Sequence, residues 1–255
     1  MYDVTEIRKD FPILSREVNG KPLVYLDNGA SAQKPQVVID AISRSYSHEY
    51  SNVHRGLHYL SNLATDQYES VRGTVARFLN AGNEDHIVFT SGTTEGINLV
   101  AYGWAMPNLQ AGDEIILSVM EHHANIVPWH FLRERQGVVI KWVDVDASGA
   151  LDPQAVIDAI TPKTKALILN APSNPTGVTL SASELDGLAA IAKKHNLLVI
   201  TDEIYESLQY DEPPSTMAGR HENVLLLNGF SKNAGMTGWR VGYAAGPDEL
   251  IQAMN

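Results

Sequence analysis

From residue 87 onward, short apolar runs alternate with amphipathic stretches. The apolar runs predict seven strands, at 87–91, 114–119, 138–145, 166–171, 197–202, 223–230 and 241–245. Most are continuous rather than alternating, which is typical of strands that helices cover on both faces. Helical patterns lie between them, at 95–106, after residue 123, at 153–160 and at 183–195. This alternation predicts an α/β fold with a mostly parallel seven-stranded sheet.

Two further patterns limit the topology and the domain organisation. The link at 231–240 is too short for a crossover helix with its turns, so we expect the last strand to be antiparallel to its neighbour. Residues 1–86 contain an extended arm, a turn at Asn19-Gly20 and helical stretches at 36–50 and 62–79. We therefore expect an N-terminal arm with helices at 1–86 and a sheet-forming core at 87–255.

Composition and charge exclude several classes of function. The chain has 255 residues, 44% of them hydrophobic, which is enough to bury one large core. The 19 Lys and Arg are outnumbered by 30 Asp and Glu, and a net charge of -11 opposes the phosphate neutralisation that nucleic-acid binding requires. No apolar run approaches the roughly twenty residues of a membrane span, and the first residues carry no apolar signal segment. We expect a cytoplasmic protein without nucleic-acid or membrane partners.

Thiol and metal chemistry have little support in the sequence. The chain contains no cysteine, which excludes disulfides, thiolate zinc sites and catalysis through a sulfur of residues 1–255. His122 and His123 are adjacent, so in an extended segment they point to opposite sides, and no second pair with ligand spacing follows. We predict no metal site. His122 is instead placed to stack on a flat ring or to move protons.

Polar side chains follow the strands at their carboxyl ends, where ligands bind in open α/β sheets. Thr93 and Thr94 lie in a glycine-containing turn that offers hydroxyls and backbone N–H groups to an anion, although such a turn also serves as a helix cap. The other candidates, in chain order, are Asn174, Asp202, Tyr205, Ser231, Lys232 and Arg240. An Asp and a Lys at neighbouring strand ends also form buried ion pairs that only support a fold.

Taken together, these residues supply the groups that pyridoxal 5′-phosphate (PLP) needs. They include an amine for a Schiff base, a carboxylate for the pyridinium nitrogen, donors for the phenolate oxygen and a cradle for the phosphate. The chain lacks the glycine fingerprints of dinucleotide and nucleoside-triphosphate sites. The sequence therefore predicts PLP as the cofactor.

The second part of the chain, about residues 160–255, resembles class I aminotransferases of the aspartate aminotransferase group. The resemblance rests on Ser173-Asn174-Pro175-Thr176-Gly177, Asp202-Glu203-Ile204-Tyr205, Ser231-Lys232 and Thr237-Gly238-Trp239-Arg240. It implies that Lys232 forms the Schiff base and that Asp202 pairs with the pyridinium nitrogen. It also implies that Asn174 and Tyr205 bond the phenolate oxygen and that Ser231 and Arg240 hold the phosphate.

The first part, about residues 5–165, resembles class V cysteine desulfurases. The motifs are Val53-His54-Arg55-Gly56, Gly92-Thr93-Thr94-Glu95-Gly96-Ile97-Asn98 and Glu121-His122-His123-Ala124-Asn125. By this resemblance, His122 stacks on the PLP ring and Thr93 and Thr94 lie at the phosphate. Two resemblances that meet near residue 160 suggest a chimera of two related enzymes.

Both families share the large domain of fold type I PLP-dependent transferases, which has three layers, α/β/α. The resemblance implies a homodimer that acts on amino acids and keto acids. It also implies that the C-terminal small domain is absent, and with it the arginine for the substrate carboxylate and the desulfurase cysteine. Asn233-Ala234-Gly235 replaces a bulkier stretch after the lysine, so we expect loose packing there.

Three functions remain open at this point. The main prediction is aminotransferase-like chemistry through a Lys232 Schiff base, with Asp202 and His122 as the other catalytic residues. The second is a PLP-binding chimeric or truncated scaffold with little turnover. The third is a cysteine desulfurase-related protein without the catalytic cysteine.

Overall fold

The computed structural model describes residues 3–28, 31–210 and 213–255. The remaining positions, 1–2 and 29–30 of the predicted N-terminal arm and 211–212 of the predicted core, lie outside the described residues. The N-terminal region begins with a short helix where the sequence predicted an extended arm. Asp3 starts this helix, because its carboxylate accepts the backbone N–H of Thr5 at 2.9 Å. The elements of the region are α1 Val4–Lys9, β1 Glu17–Val18, β2 Lys21–Pro22, α2 Gln36–Arg44 and α3 Tyr59–Phe78.

The predicted turn at Asn19-Gly20 joins β1 to β2. Asn19 has φ 53° and Gly20 has φ 71°, and these left-handed conformations suit a two-residue hairpin. The two predicted helical stretches are present with shifted ends. The first is α2 followed by a π-helical turn at Ser45–Glu49, and the second, α3, begins at Tyr59.

All seven predicted strands are present and form one sheet. They are β3 Ile87–Thr90, β4 Glu114–Ser118, β5 Val139–Val143, β6 Thr164–Asn170, β7 Leu198–Asp202, β8 Val224–Gly229 and β9 Gly242–Ala245. Their order across the sheet is β3-β9-β8-β7-β6-β4-β5. Strands β5, β4, β6, β7 and β8 pair in parallel, whereas β9 is antiparallel to both β8 and β3. The expectation for the last strand is confirmed.

Helices connect the strands much as the sequence predicted. They are α4 Thr93–Leu99, α5 Met106–Asn108, α6 Val127–Gln136, α7 Pro153–Ala159, α8 Ala182–Lys194 and α9 Asp248–Met254. A π-helical segment at Val100–Ala105 joins α4 to α5, so this helix runs on to Asn108. Ser181 opens α8 with a capping box that it shares with Glu184. Among the described helices, none is both long enough and apolar enough to cross a membrane.

The sheet is covered on both faces, as the continuous apolar strands predicted. Alternate residues of a strand point to opposite faces. In β4, Ile115 and Leu117 join a buried cluster with side chains of α4, α6 and α9, and Ile116 joins a second cluster with α7 and α8. Helix α3 covers the β3–β9 edge through Val75 and Ala76. The result is a three-layer α/β/α arrangement in which parallel strand ends meet at one edge.

The turn after Lys232 is packed rather than loose. Gly235 is buried with φ 56°, and a Cβ at this position would lie 2.3 Å from the Cβ of Ala32. The carbonyl of Gly235 accepts hydrogen bonds from the backbone N–H of Ala32 at 3.3 Å and from Lys34 Nζ at 2.9 Å. The small residues after the lysine therefore let the N-terminal arm pack against this turn, which corrects the expectation of loose packing.

Candidate active site

A cavity of about 210 Å³ lies at the carboxyl ends of β6, β7 and β8. The structure brings all nine predicted site residues to its wall. They are Thr93, Thr94, His122, Asn174, Asp202, Tyr205, Ser231, Lys232 and Arg240. Their positions follow from the topology, because parallel strands present their carboxyl ends at the same edge and β9 begins there in the opposite direction.

The beginning of the α4 helix forms one part of the wall. Gly92 precedes the helix with φ 141°, a conformation that glycine adopts without strain. A Cβ at this position would lie 3.1 Å from Arg240 Nη2. The lack of a side chain thus leaves the first N–H groups of the helix open beside a guanidinium, and this combination suits a phosphate.

The guanidinium of Arg240 is oriented by its own loop. Arg240 Nη1 donates to the carbonyl of Thr237 at 2.9 Å, and Thr237 Oγ1 donates to the carbonyl of Ser231 at 2.9 Å. The residue itself has φ 54°, in the left-handed region. The loop between β8 and β9 therefore holds the arginine close to the residues that follow β8.

Asp202 forms the buried floor of the cavity. Its side chain accepts the backbone N–H of Ile204 at 3.3 Å and the amide of Asn125 at 3.3 Å. Burial raises the pKa of Asp202 to about 6, and these two hydrogen bonds act in the opposite direction. Within 3–28, 31–210 and 213–255, no cation lies within 4.0 Å of this carboxylate. The floor is thus a buried carboxylate with neutral partners only.

Asn170, the last residue of β6, fixes the neighbouring strand ends. Its Nδ2 donates to the carbonyl of Asp202 at 2.9 Å, and its Oδ1 accepts the backbone N–H of Asn174 at 2.8 Å. Asn174 in turn donates from Nδ2 to the hydroxyl of Tyr205 at 3.1 Å. Asn170 therefore sets the relative positions of the carboxylate and of the Asn174–Tyr205 pair.

Lys232 lies at the exposed side of the cavity. Its Nζ is 5.5 Å from the centre of the Tyr205 ring, over the ring face. Ser231 and Lys232 come directly after Phe230, the first residue beyond β8. Lys232 is exposed, so its amine is accessible, and Tyr205 contacts both this amine and the Asn174 amide.

His122 is exposed on the wall, and its ring orientation is fixed locally. Its Nδ1 accepts the backbone N–H of Ala124 at 3.1 Å. In the neutral ring the proton therefore stands on Nε2. His123 is also exposed but does not line the cavity. Within the described part of the chain, no group of three His, Asp or Glu side chains is arranged to hold a metal ion.

Sequence reasoning did not assign roles to several residues of the site. Gly92, Asn170, Ile204 and Thr237 also line the cavity. Glu121 and Asn125 lie behind Asp202, with Asn125 Nδ2 3.0 Å from Glu121 Oε2. Glu121 and Asn125 stand in a motif that the sequence singled out for His122 alone. Their contact with Asp202 depends on sheet order, which no local pattern reveals.

The sequence comparisons place the chain among known proteins. Residues 24–208 match the sequence profile of the family described as aminotransferase class-V. The chain belongs to the class V aminotransferase family. Members of this family depend on pyridoxal 5′-phosphate, so the predicted cofactor is confirmed at the level of the family. The match passes residue 165, beyond which the class V motifs were not recognised in the sequence.

Curated class V relatives include cysteine desulfurases. A cysteine desulfurase of Klebsiella pneumoniae is 43% identical over 253 residues, which cover 99% of this chain and 60% of the relative. A probable cysteine desulfurase of Synechocystis is 41% identical over 97% of this chain and 57% of the relative. The chain thus spans about 60% of the length of these relatives. Because the similarity runs through both parts of the chain, a splice of two enzymes stays a hypothesis.

Solved structures show the same large-domain fold in both predicted groups. A cysteine desulfurase from Escherichia coli has a TM-score of 0.77 at 33% identity and covers 99% of this chain and 60% of its own. An aspartate aminotransferase from Thermus thermophilus, solved with maleate, has a TM-score of 0.74 at 28% identity over 98% of this chain and 61% of its own. The predicted fold type I architecture is confirmed.

The geometry of the cavity fits PLP. Asp202 suits a protonated ring nitrogen, because its carboxylate is buried and has no cationic partner among the described residues. The space left by Gly92 beside Arg240 suits a phosphate. Lys232 Nζ is exposed on the same wall and suits a covalent link to an aldehyde. Residues 1–255 contain no cysteine.

Proposed function

We propose that this chain is the PLP-binding part of a cysteine desulfurase-related enzyme that activates the α-carbon of an amino acid. The observation that carries the proposal is the pairing of an exposed amine, Lys232, with a buried carboxylate, Asp202, in one cavity that also opens onto the α4 helix. The identities of 41% and 43% with curated cysteine desulfurases support this class of reaction over transamination.

Each residue has a role that its position supports. Bound PLP supplies a sink for the electrons left at the α-carbon of the substrate. Lys232 Nζ would hold the cofactor covalently and, when its amine is free, would carry the α-proton of the substrate. Asp202 would keep the ring nitrogen protonated. Asn174 and Tyr205 orient the phenolate oxygen. A hydrogen bond of 3.1 Å joins these two side chains to each other.

The remaining residues bind and orient. Thr93, Thr94, Ser231 and Arg240 hold the phosphate at the beginning of the α4 helix. His122 covers the ring and, through Nε2, is available to hold a proton on the substrate side. Residues 1–255 contain no thiol to accept a sulfur atom, so this segment alone is expected to move α-protons without forming a persulfide on itself.

The test uses the protein loaded with PLP and single amino acids. α-Proton exchange into deuterated water and keto-acid formation report on activation of the α-carbon, and sulfide release from L-cysteine reports on desulfuration. We expect measurable exchange, slow keto-acid formation and no alanine from L-cysteine. Alanine formed from L-cysteine at a saturating rate would show that another group in residues 1–255 accepts the sulfur, contrary to the proposal, whereas sulfide released together with pyruvate would come from β-elimination, which needs no acceptor. No exchange with any amino acid would favour a scaffold without turnover.

Aminotransferase chemistry is the second candidate. The Asn174–Tyr205 hydrogen bond and the similarity to aspartate aminotransferase structures favour it. The two candidates differ in the fate of the amino group. Stoichiometric keto acid from alanine or aspartate, followed by amino-group return to an added keto acid, would identify transamination. Its absence, together with α-proton exchange, would favour the desulfurase-related reaction.

We also propose that the chain forms a homodimer through its N-terminal region. Helix α2 buries none of its side chains, and exposed apolar residues cluster in this part of the sequence. Strongly exposed examples are Val24 at 76%, Leu26 at 90%, Val37 at 72%, Tyr46 at 72% and Leu57 at 102%. Such exposure is typical of a surface that another chain covers. Light scattering should give twice the monomer mass, and Leu57→Asp should lower it.

A further inference from the structure

A buried polar cluster lies behind the floor of the cavity. The amide nitrogen of Asn125 is 3.0 Å from Glu121 Oε2 and 3.3 Å from Asp202 Oδ2, so one NH₂ group serves two carboxyls. Glu121 is 9% exposed, Asn125 1% and Asp202 4%. Ser118 Oγ lies 3.4 Å from Glu121 Oε1 and completes the cluster. The proposed chemistry uses Asp202 and leaves Glu121 without a role.

Among the described residues, no cation lies within 4.0 Å of either carboxyl, and the charged groups nearest to Asp202 on the cofactor side are Lys232 and Arg240, on the wall of the same cavity. The segment that carries Glu121 also carries His122 and His123, which are exposed, and β7 contributes Asp202. The other neighbours of Glu121, from β6 and from residues 145–151, are apolar or neutral. Asp146, the acid in that loop, is exposed and accepts the N–H groups of Ser148 and Ala150. Two negative charges would therefore face each other across one amide, at positions where both side chains are largely buried.

The two carboxyls differ in how readily they keep a proton. Burial raises the pKa of Glu121 to about 7, the hydrogen bond from Asn125 opposes this, and the negative charge of Asp202 raises it further. The pKa of Asp202 is raised to about 6, by burial. Asp202 also accepts the backbone N–H of Ile204 at 3.3 Å, whereas the further neighbour of Glu121 is a hydroxyl at 3.4 Å, so the hydrogen bonds favour the charge on Asp202, and that charge holds the proton on Glu121.

Glu121 also has a route for proton exchange. A second cavity of about 30 Å³ lies on the side of Glu121 that faces β6, and Ser118, Asn170 and Ser173 contribute polar atoms to its wall. This volume is enough for a water molecule, which needs about 10–15 Å³ and polar partners. A proton on Glu121 therefore has two hydroxyl neighbours outside the cofactor cavity, Ser118 and Ser173, while Asn170 lines both cavities.

We propose that Glu121 and Asn125 are positioning residues for Asp202. Asn125 bridges the two carboxyls, and Glu121 keeps its proton while Asp202 is ionised. The single negative charge of the pair then lies on Asp202, which faces the cofactor ring. The inference rests on the proposed function, because the ring nitrogen is the partner that Asp202 would meet. Glu121 thereby has a role, although it does not line the cofactor cavity and the motif that contains it was assigned a function only through His122. The same proton would leave through the small cavity and not through the active site.

The first experiment uses cofactor-free protein and does not depend on the proposed function. Carbon-13 NMR of the side-chain carboxyls follows Glu121 and Asp202 across pH 4–9. In Asp202→Asn, we expect the Glu121 midpoint to move to lower pH, since the neighbouring charge is gone. In Asn125→Ala, we expect both midpoints to move to higher pH, since a shared donor is lost. A Glu121 midpoint that is the same in wild type and in Asp202→Asn would overturn the proposal.

The second experiment uses protein loaded with PLP. The visible absorbance of the lysine-bound cofactor should change with pH in wild type near the Glu121 midpoint, and Glu121→Gln, which keeps the size and the acceptor oxygen, should lose this step. Glu206→Gln is the control, because Glu206 is partly buried with a raised pKa but bonds neither Asn125 nor Asp202. The control should keep the step. An unchanged step in Glu121→Gln would contradict the proposal even if that variant were less stable.

The two experiments separate the two possible failures. If wild-type protein forms no visible band, the proposed function fails, and the carboxyl titration of cofactor-free protein still decides whether Glu121 holds the shared proton. If the band forms but the titration shows independent carboxyls, the proposed function stands and this inference fails. Circular dichroism of each variant establishes that it is folded before either result is interpreted.

Discussion

The floor and the rim of the cavity hold their functional groups in different ways. The floor, defined by Asp202 and Asn170, is buried and tied by hydrogen bonds to neighbouring strand ends. The rim, defined by His122, Lys232 and Arg240, is exposed and belongs to segments that follow or precede strands. Burial raises the pKa of the floor carboxylate, whereas the rim groups stay open to solvent.

This difference indicates a division of labour. Groups on the floor set the charge that a cofactor ring would meet, and they do so at a cost in stability because a buried carboxylate lacks hydration. Groups on the rim make contacts that require movement or access, such as the exchange of a covalent link for a substrate. Substitutions on the floor should therefore change stability and its pH dependence as well as binding, while those on the rim should change binding and proton transfer without changing the pH dependence of stability.

The largest expected effect is on the rim. Lys232→Ala should abolish covalent attachment of PLP, because the amine is the only group of the cavity wall that forms a Schiff base. Absorbance spectroscopy should show no visible band, and borohydride reduction followed by peptide mapping should find no labelled peptide. Lys194→Ala, an exposed lysine at the end of α8, is the control and should keep the band. A label on another lysine in wild type would contradict the assignment.

The next effect concerns the stability of the cofactor-free protein. Its pH dependence should change with substitutions on the floor and not with those on the rim. Folding raises the pKa of Asp202 from 3.8 to about 6 and that of Glu121 from 4.5 to about 7. Between about pH 4 and 7, the folded state therefore keeps protons that the unfolded state has lost, so the free energy of unfolding falls as the pH rises through this window. One pKa unit corresponds to about 1.4 kcal/mol, so Asp202 contributes a loss of order 3 kcal/mol.

Urea unfolding at a series of pH values measures this loss. Asp202→Asn should flatten the fall in stability between about pH 4 and 6, and it should make the cofactor-free protein more stable than wild type at pH 8, because an uncharged amide replaces the buried charge. Lys232→Ala should retain the wild-type slope. Equal slopes for wild type and Asp202→Asn would mean that the carboxylate is better solvated than its burial indicates.

The third effect tests what the floor contributes to binding. Asp202→Ala should weaken PLP binding about 10- to 100-fold, because a charge-assisted hydrogen bond contributes about 1.5–3 kcal/mol and about 1.4 kcal/mol corresponds to a factor of ten. Asp202→Glu retains a carboxylate and should lose less binding and less α-proton exchange. Fluorescence titration with PLP and deuterium incorporation measure the two quantities. Equal exchange in the two variants would indicate that Asp202 only supports the fold.

The cavity wall could be predicted from the sequence, whereas the hydrogen bonds that hold the floor could not. Continuous apolar runs predicted all seven strands, and polar residues at their ends predicted nine of the thirteen residues that line the cavity. Both signals are local. The floor network is not local, since Asn125 and Asp202 are 77 residues apart and meet because the segment after β4 reaches past β6 to β7. Helix α1 was missed because six residues and one Asp cap give too weak a pattern.

The smallest expected effect separates two roles of a rim residue. His122→Ala should weaken PLP binding about 2- to 10-fold, because ring stacking contributes about 0.5–1.5 kcal/mol. His122→Phe keeps a flat ring and should bind PLP as wild type does, but it lacks the Nε2 proton that the Nδ1 contact with Ala124 fixes in place. If Phe restores binding and α-proton exchange together, His122 only stacks. If Phe restores binding while exchange stays low, the imidazole also moves a proton. Wild-type binding in both variants would show that His122 does not cover the ring.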